Sequence, residues 1–179
     1  TGGADAWVAK IDSKGVMEWQ KAIGGPYHET AYAVEETADG YVLAGHTSSF
    51  AVGLYDAWVV KLDGTGTVKG QRAFGGTGWE RAESIQQTAD GGYVFAGWTT
   101  SWGSGGYDAW CVKVNKNGKV DWQQTYGGAG DDIARAVRLT SDGGIVLAGH
   151  TASYGTGLWD GWCVKLDSTG AILWQRAIG

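Results

Sequence analysis

One phrase returns through this chain at a nearly fixed interval, which confines it to architectures built from a repeated unit. Trp7, Trp58, Trp110 and Trp162 stand 51, 52 and 52 residues apart. Each belongs to the same words: Asp5-Ala-Trp7, Asp56-Ala-Trp58, Asp108-Ala-Trp110 and Asp160-Gly-Trp162. A lysine follows three residues later, at Lys10, Lys61, Lys113 and Lys165, and then a turn with Gly15, Gly66, Gly118 and Gly170. Trp-Gln comes next at 19–20, 122–123 and 174–175, replaced in the second copy by Gly70-Gln71, and the phrase closes on Gly-Gly at 24–25, 75–76 and 127–128.

The other half of the unit occurs three times. It holds an acidic residue (Glu29, Glu80, Asp132), a turn opening at Thr37, Thr88 and Thr140, and an apolar run ending Ala-Gly. The expected division is a single domain over 1–179, with units at 1–25 (its last two strands only), 26–76, 77–128 and 129–179. Each complete unit reads as four short strands, A to D, because runs rich in Val, Tyr, Trp and Thr are bounded by Gly and Asp. In strand C, Trp58, Val60 and Leu62 face one way and Ala57, Val59 and Lys61 the other. Apolar residues on both faces predict a sheet covered on both sides. No helical period is present. The expected fold is therefore all-β: a β-propeller of four-stranded antiparallel blades about 52 residues long, about 3.5 per chain.

These phrases resemble a repeat of bacterial and archaeal β-propeller proteins, roughly Asp-Ala-Phe/Trp-Val-x-Lys-Leu, a turn, then Gly-Gly. The resemblance covers the whole chain. It implies a propeller in a secreted or surface-attached protein, and an extracellular or cell-surface location. The Asp-x-x-Gly-x-x-x-Trp phrase (Asp12 to Trp19, Asp167 to Trp174) is distantly similar to the tryptophan-docking repeat of quinoprotein dehydrogenases. Three and a half blades do not close a ring, so the ring is expected to be completed by another chain, as a homo-oligomer or with another propeller fragment. Two copies hold about seven units, yet two C–D halves do not make one complete blade.

Composition excludes several classes of function. Glycine supplies 32 of 179 residues without a collagen period, and 11 Trp with 8 Tyr give ample apolar surface, so disorder is excluded. A net charge of −5 with no Lys/Arg cluster speaks against nucleic acid as a partner. No apolar run approaches the ~18 residues of a membrane span, and the opening residues TGGADAW do not read as a signal peptide. Cys111 and Cys163 replace valines of the other copies and read as small buried hydrophobes. His46 and His150, aligned with Trp98, lack zinc-ligand spacing, and no calcium loop is present. Neither a metal nor a cofactor is expected.

Alternating strands place the A–B and C–D turns at one rim, where their tight Asp/Asn/Gly hairpins set backbone geometry. The other rim carries longer B–C loops, each with a central aromatic (Phe50, Trp102, Tyr154), and D–A crossings with His28, Trp79 and Asp131 at one aligned position. Beside these lie Glu29, Glu80 and Asp132. These nine residues are the candidate ligand-binding rim, since rigid scaffolds present binding residues on loops and aromatic rings with polar neighbours suit sugars. A competing reading has the aromatics wedged between sheets and the acids capping backbone N–H groups. The Asp before and the Lys after each strand-C Trp recur in every copy, as a turn cap or ion pair would. Carboxylates repeated in like environments do not separate an acid from a base, so no catalytic residue is expected. The function expected is a non-catalytic interaction module binding glycan or protein at the loop rim. The alternatives are a structural assembly role and, more weakly, a polysaccharide-acting or quinoprotein-like enzyme.

Overall fold

A computed structural model describes residues 2–179, in which fourteen strands form four antiparallel sheets. No helix occurs among the described residues. The first sheet has two strands, β1 (Ala6–Ile11) and β2 (Met17–Ile23). The second is β3 (Glu29–Thr37), β4 (Gly40–Thr47), β5 (Asp56–Asp63) and β6 (Val68–Phe74). The third is β7 (Glu80–Gln87), β8 (Tyr93–Thr99), β9 (Asp108–Val114) and β10 (Val120–Tyr126). The fourth is β11 (Asp132–Leu139), β12 (Ile145–Thr151), β13 (Asp160–Leu166) and β14 (Ile172–Ile178). Each four-stranded sheet is a meander in chain order.

Strand alternation builds the layers between sheets. On β5, Trp58, Val60 and Leu62 join Ala6 and Ile23 of the first sheet, whereas Ala57 and Val59 join Ala82, Ile85 and Phe95 of the third. β9 repeats the division: Trp110, Val112 and Val114 turn toward the second sheet, and Ala109 and Cys111 toward Val137, Leu147 and Val164 of the fourth. A side-chain period of two thus gives each central sheet two apolar faces. Cys111 is buried and free, and burial pushes its thiol pKa up; Cys163 is free and half-buried.

The strand lysines and their preceding aspartates serve the scaffold. Lys61, Lys113 and Lys165 reach Asp39, Asp90 and Asp142 in the hairpins beside them, at 2.7, 2.9 and 2.8 Å. Asp56 accepts the Val52 N–H, Asp108 those of Ser104 and Gly105, and Asp160 that of Thr156, so each caps the loop leading into its strand. The β1–β2, β5–β6, β9–β10 and β13–β14 hairpins turn on Gly15, Gly66, Gly118 and Gly170, whose φ angles of 81, 77, 74 and 87° favour glycine.

Candidate functional site

The nine candidate rim residues separate into three groups. Glu29, Glu80 and Asp132 are almost wholly buried, at 1, 0 and 0% exposure, and correct the expectation that they face a ligand. Glu80 Oε1 accepts the Thr99 hydroxyl at 2.7 Å and its Oε2 the Gly76 N–H at 2.8 Å. Glu29 makes the same bonds with Thr47 and Gly25, and Asp132 with Thr151 and Gly128. Burial alone would raise the Glu29 carboxyl, but hydrogen bonds from Ser49, Thr47 and the Gly25 backbone outweigh it and hold the pKa below its usual value. These carboxylates tie each sheet to the crossing that reaches it from the preceding sheet.

Phe50, Trp102 and Tyr154 are partly exposed, each lying over the tryptophan of its own sheet. Centroid distances are 6.3 Å to Trp58, 5.7 Å to Trp110 and 5.9 Å to Trp162. Their packing faces are committed to the scaffold, and they stand one per sheet rather than together.

The third group shows unlike behaviour at one aligned position. His28 Nδ1 accepts the Ala4 N–H at 3.0 Å, and Asp131 Oδ1 accepts the Tyr107 N–H at 3.0 Å. Both fasten the segment that enters the next strand. Trp79 offers no acceptor, and there Tyr55 and Trp79 form a parallel bridge instead. The Trp79 indole remains 42% exposed and meets the Tyr55 ring edge-on at 6.2 Å.

Around Trp79 lies a cleft of about 340 Å³ between the second and third sheets, lined by His46, Tyr55, Trp79, Arg81, Trp98 and Tyr107, with buried Glu80 behind. That volume falls at the lower end of small-molecule sites. Trp98 and Tyr107 meet edge-to-face at 4.8 Å, and His46 meets Tyr55 in the same way at 5.0 Å. Burial, then the Arg81 charge, pushes the His46 pKa down to about 4, so its imidazole is neutral at pH 7. Its Nδ1 lies 3.2 Å from the Tyr32 hydroxyl.

Arg81 sits over the Tyr32 ring with Cζ 3.6 Å from the centroid, and its Nε pairs ionically with Glu83 at 3.0 Å without hydrogen-bond geometry. Arg135 reaches the same Glu83 at 2.7 Å. The lining brings together the indoles of Trp79 and Trp98, the phenols of Tyr55 and Tyr107 and the Arg81 guanidinium. The cleft therefore offers ring faces together with polar tips.

Sequence reasoning found Trp79 and missed the rest of this cleft. A signal was present: the residue before Asp56, Asp108 and Asp160 is aromatic each time, as Tyr55, Tyr107 and Trp159. Arg81 carried no such signal, because its counterparts in the pairing register are Thr30 and Ile133. Among the described residues, no three His, Cys, Asp or Glu side chains converge as a metal site would require. No protein-family model matches the chain, and no curated protein matches it at a significant level.

Proposed function

We propose that the chain is a β-propeller segment acting as a non-catalytic interaction module, and that it binds glycan in the cleft around Trp79. The propeller reading is supported by consecutive four-stranded meanders packed face to face, with like strands in like register. The observation that carries the ligand reading is Trp79 itself. Where His28 and Asp131 clamp backbone, this position presents an indole to solvent beside three further aromatic rings. A binding site is expected to break a repeat that otherwise serves the scaffold. Sugar rings stack on such faces, while indole N–H, phenol and guanidinium groups match their hydroxyls. Further copies of the chain joined in one ring would each bring such a cleft and add avidity to a weak contact.

Titration of tryptophan fluorescence with an oligosaccharide panel tests this reading. Quenching that saturates in the native protein and weakens about tenfold in Trp79→Ala supports it, a loss equivalent to one good ring contact. An unresponsive native protein across the panel refutes it.

A second reading, assembly, has its own observation. β1 is hydrogen-bonded on one side only, and Trp7, Ile11 and Val34 lie exposed beside its open edge. An open edge is a template for pairing. Strands from a second copy or from another propeller segment would fill that place, and native mass at working concentration distinguishes the two.

A further inference from the structure

The position facing the strand lysine is tryptophan in three sheets and glycine in one. Trp19 pairs with Lys10, Trp122 with Lys113 and Trp174 with Lys165, but Gly70 pairs with Lys61. What the two inter-sheet tryptophans do shows what Gly70 leaves undone. Trp19 lies edge-on to Tyr41 at 5.8 Å and donates its indole N–H to the Gly64 carbonyl at 3.2 Å. Its ring rests on Gly66, where an added Cβ would come within 2.8 Å of it. Trp122 likewise donates to the Ser168 carbonyl at 3.2 Å and rests on Gly170, whose Cβ would lie 3.0 Å from the ring.

At the intervening junction the corresponding glycine is Gly118, and the nearest atom to its would-be Cβ is Arg72 Cδ at 3.9 Å. No ring covers it. A cavity of about 310 Å³ occupies the space, bounded by Gly70, Arg72, Phe74, Tyr93, Lys116 and Gly118. Tyr93 holds the place that Tyr41 holds against Trp19, and its buried hydroxyl has no hydrogen-bond partner. Arg72 spans the gap to the Gly118 carbonyl at 2.9 Å, and neither Arg72 nor Lys116 pairs with a carboxylate among the described residues.

We propose that this cavity is a binding site for a flat bicyclic aryl group bearing a carboxylate. The ring would lie between Tyr93 and the Gly118 backbone, beside the Arg72 side chain that reaches the Gly118 carbonyl, where an indole lies at both neighbouring junctions. The carboxylate would meet Arg72 and Lys116 at the mouth, and the unpartnered Tyr93 hydroxyl would donate to a polar edge of the ligand. Apolar cavities of ~150 Å³ already take up benzene, so this volume admits a two-ring system. The site lies on β6 and the β9–β10 hairpin, away from the Trp79 cleft, and does not depend on the glycan reading.

Calorimetric titration with indole-3-acetate, and with indole as the uncharged probe, tests the proposal on the native chain. Saturable one-to-one binding of indole-3-acetate is expected, at least tenfold weaker in Gly70→Trp, which supplies the ring covalently. Arg72→Gln should weaken indole-3-acetate about threefold, as loss of one exposed charge contact does, and leave indole unchanged. Absence of saturable binding at millimolar probe overturns the site. So does equal affinity in Gly70→Trp, with folding of that variant checked by its thermal transition. Equal affinity for indole and indole-3-acetate overturns the assignment of a carboxylate.

Discussion

Gly70→Trp is expected to stabilise the protein, contrary to the usual outcome of placing a large residue at a glycine. Nothing lies within 4 Å of a Cβ built on Gly70, and its φ is not positive, so the backbone accepts the change without strain. Fully burying a large apolar side chain is worth roughly 1.5–3 kcal/mol, and a half-buried indole about half of that. A hydrogen bond from its N–H to the facing turn adds about 0.5–1 kcal/mol. Replacing a strand glycine by an aromatic residue contributes up to ~1 kcal/mol, and ordering the new side chain costs about 1 kcal/mol. The net gain is about 2 kcal/mol, which raises Tm by about 4–8 °C in a chain of this length. Trp122→Gly performs the reverse change at the next junction and adds a void, costing about 3 kcal/mol. Its Tm should fall by about 6–12 °C. Differential scanning calorimetry of both variants beside the native protein measures the two shifts. If Gly70→Trp melts at or below the native temperature while Trp122→Gly falls as expected, the space at Gly70 is not equivalent to an indole site and the reasoning fails.

Three further outcomes follow from the buried polar groups. Asp56 Oδ1 is buried without a partner, and burial, with Glu80 nearby, raises this carboxyl above its usual value. The penalty for its charge is absent below the unfolded pKa of ~3.9 and sets in as pH rises through the raised folded value, so Asp56→Asn should gain more Tm at pH 7 than at pH 4; an equal gain at both would refute the assignment. Glu80→Ala removes the acceptor for Thr99 and Gly76 at a fully buried position and should cost about 3 kcal/mol by urea denaturation, whereas a cost under about 1 kcal/mol would show that the tie between sheets is dispensable. Cys163 should react with a thiol reagent under native conditions well before Cys111, whose burial and raised pKa withhold the thiolate until the sheet opens; equal rates would contradict the burial.

The extent to which the site was legible differs residue by residue. Asp56, Asp108 and Asp160 as loop caps follow from recurrence, since a group needed identically in every copy serves the shared scaffold. Glu80 carried the same recurrence yet stood among the candidate binders, because proximity to varied loops suggested exposure. Its burial depends on Gly75 and Gly76 of the preceding sheet closing over it, a relation invisible along the strand. Trp79 stood out by differing from His28 and Asp131, but its partners Tyr55, Trp98 and Tyr107 come from two sheets and meet only when those sheets pack.

The strands, their order along the chain, the two-sided apolar pattern of the central sheets and the glycine turns are legible in consecutive residues. Those features are set by side-chain alternation and local φ, both written in consecutive residues. Which acids are buried, which aromatics converge and that the place of a tryptophan at Gly70 stands open emerge only from packing. The acids and aromatics meet partners on other strands and loops, such as Thr99 for Glu80 and Tyr55 for Trp79. The place at Gly70 depends on contacts between sheets joining residues about 45 positions apart, such as Trp19 with Gly64. Packing across such separations is fixed by the shape of both surfaces at once, and no stretch of chain encodes it alone.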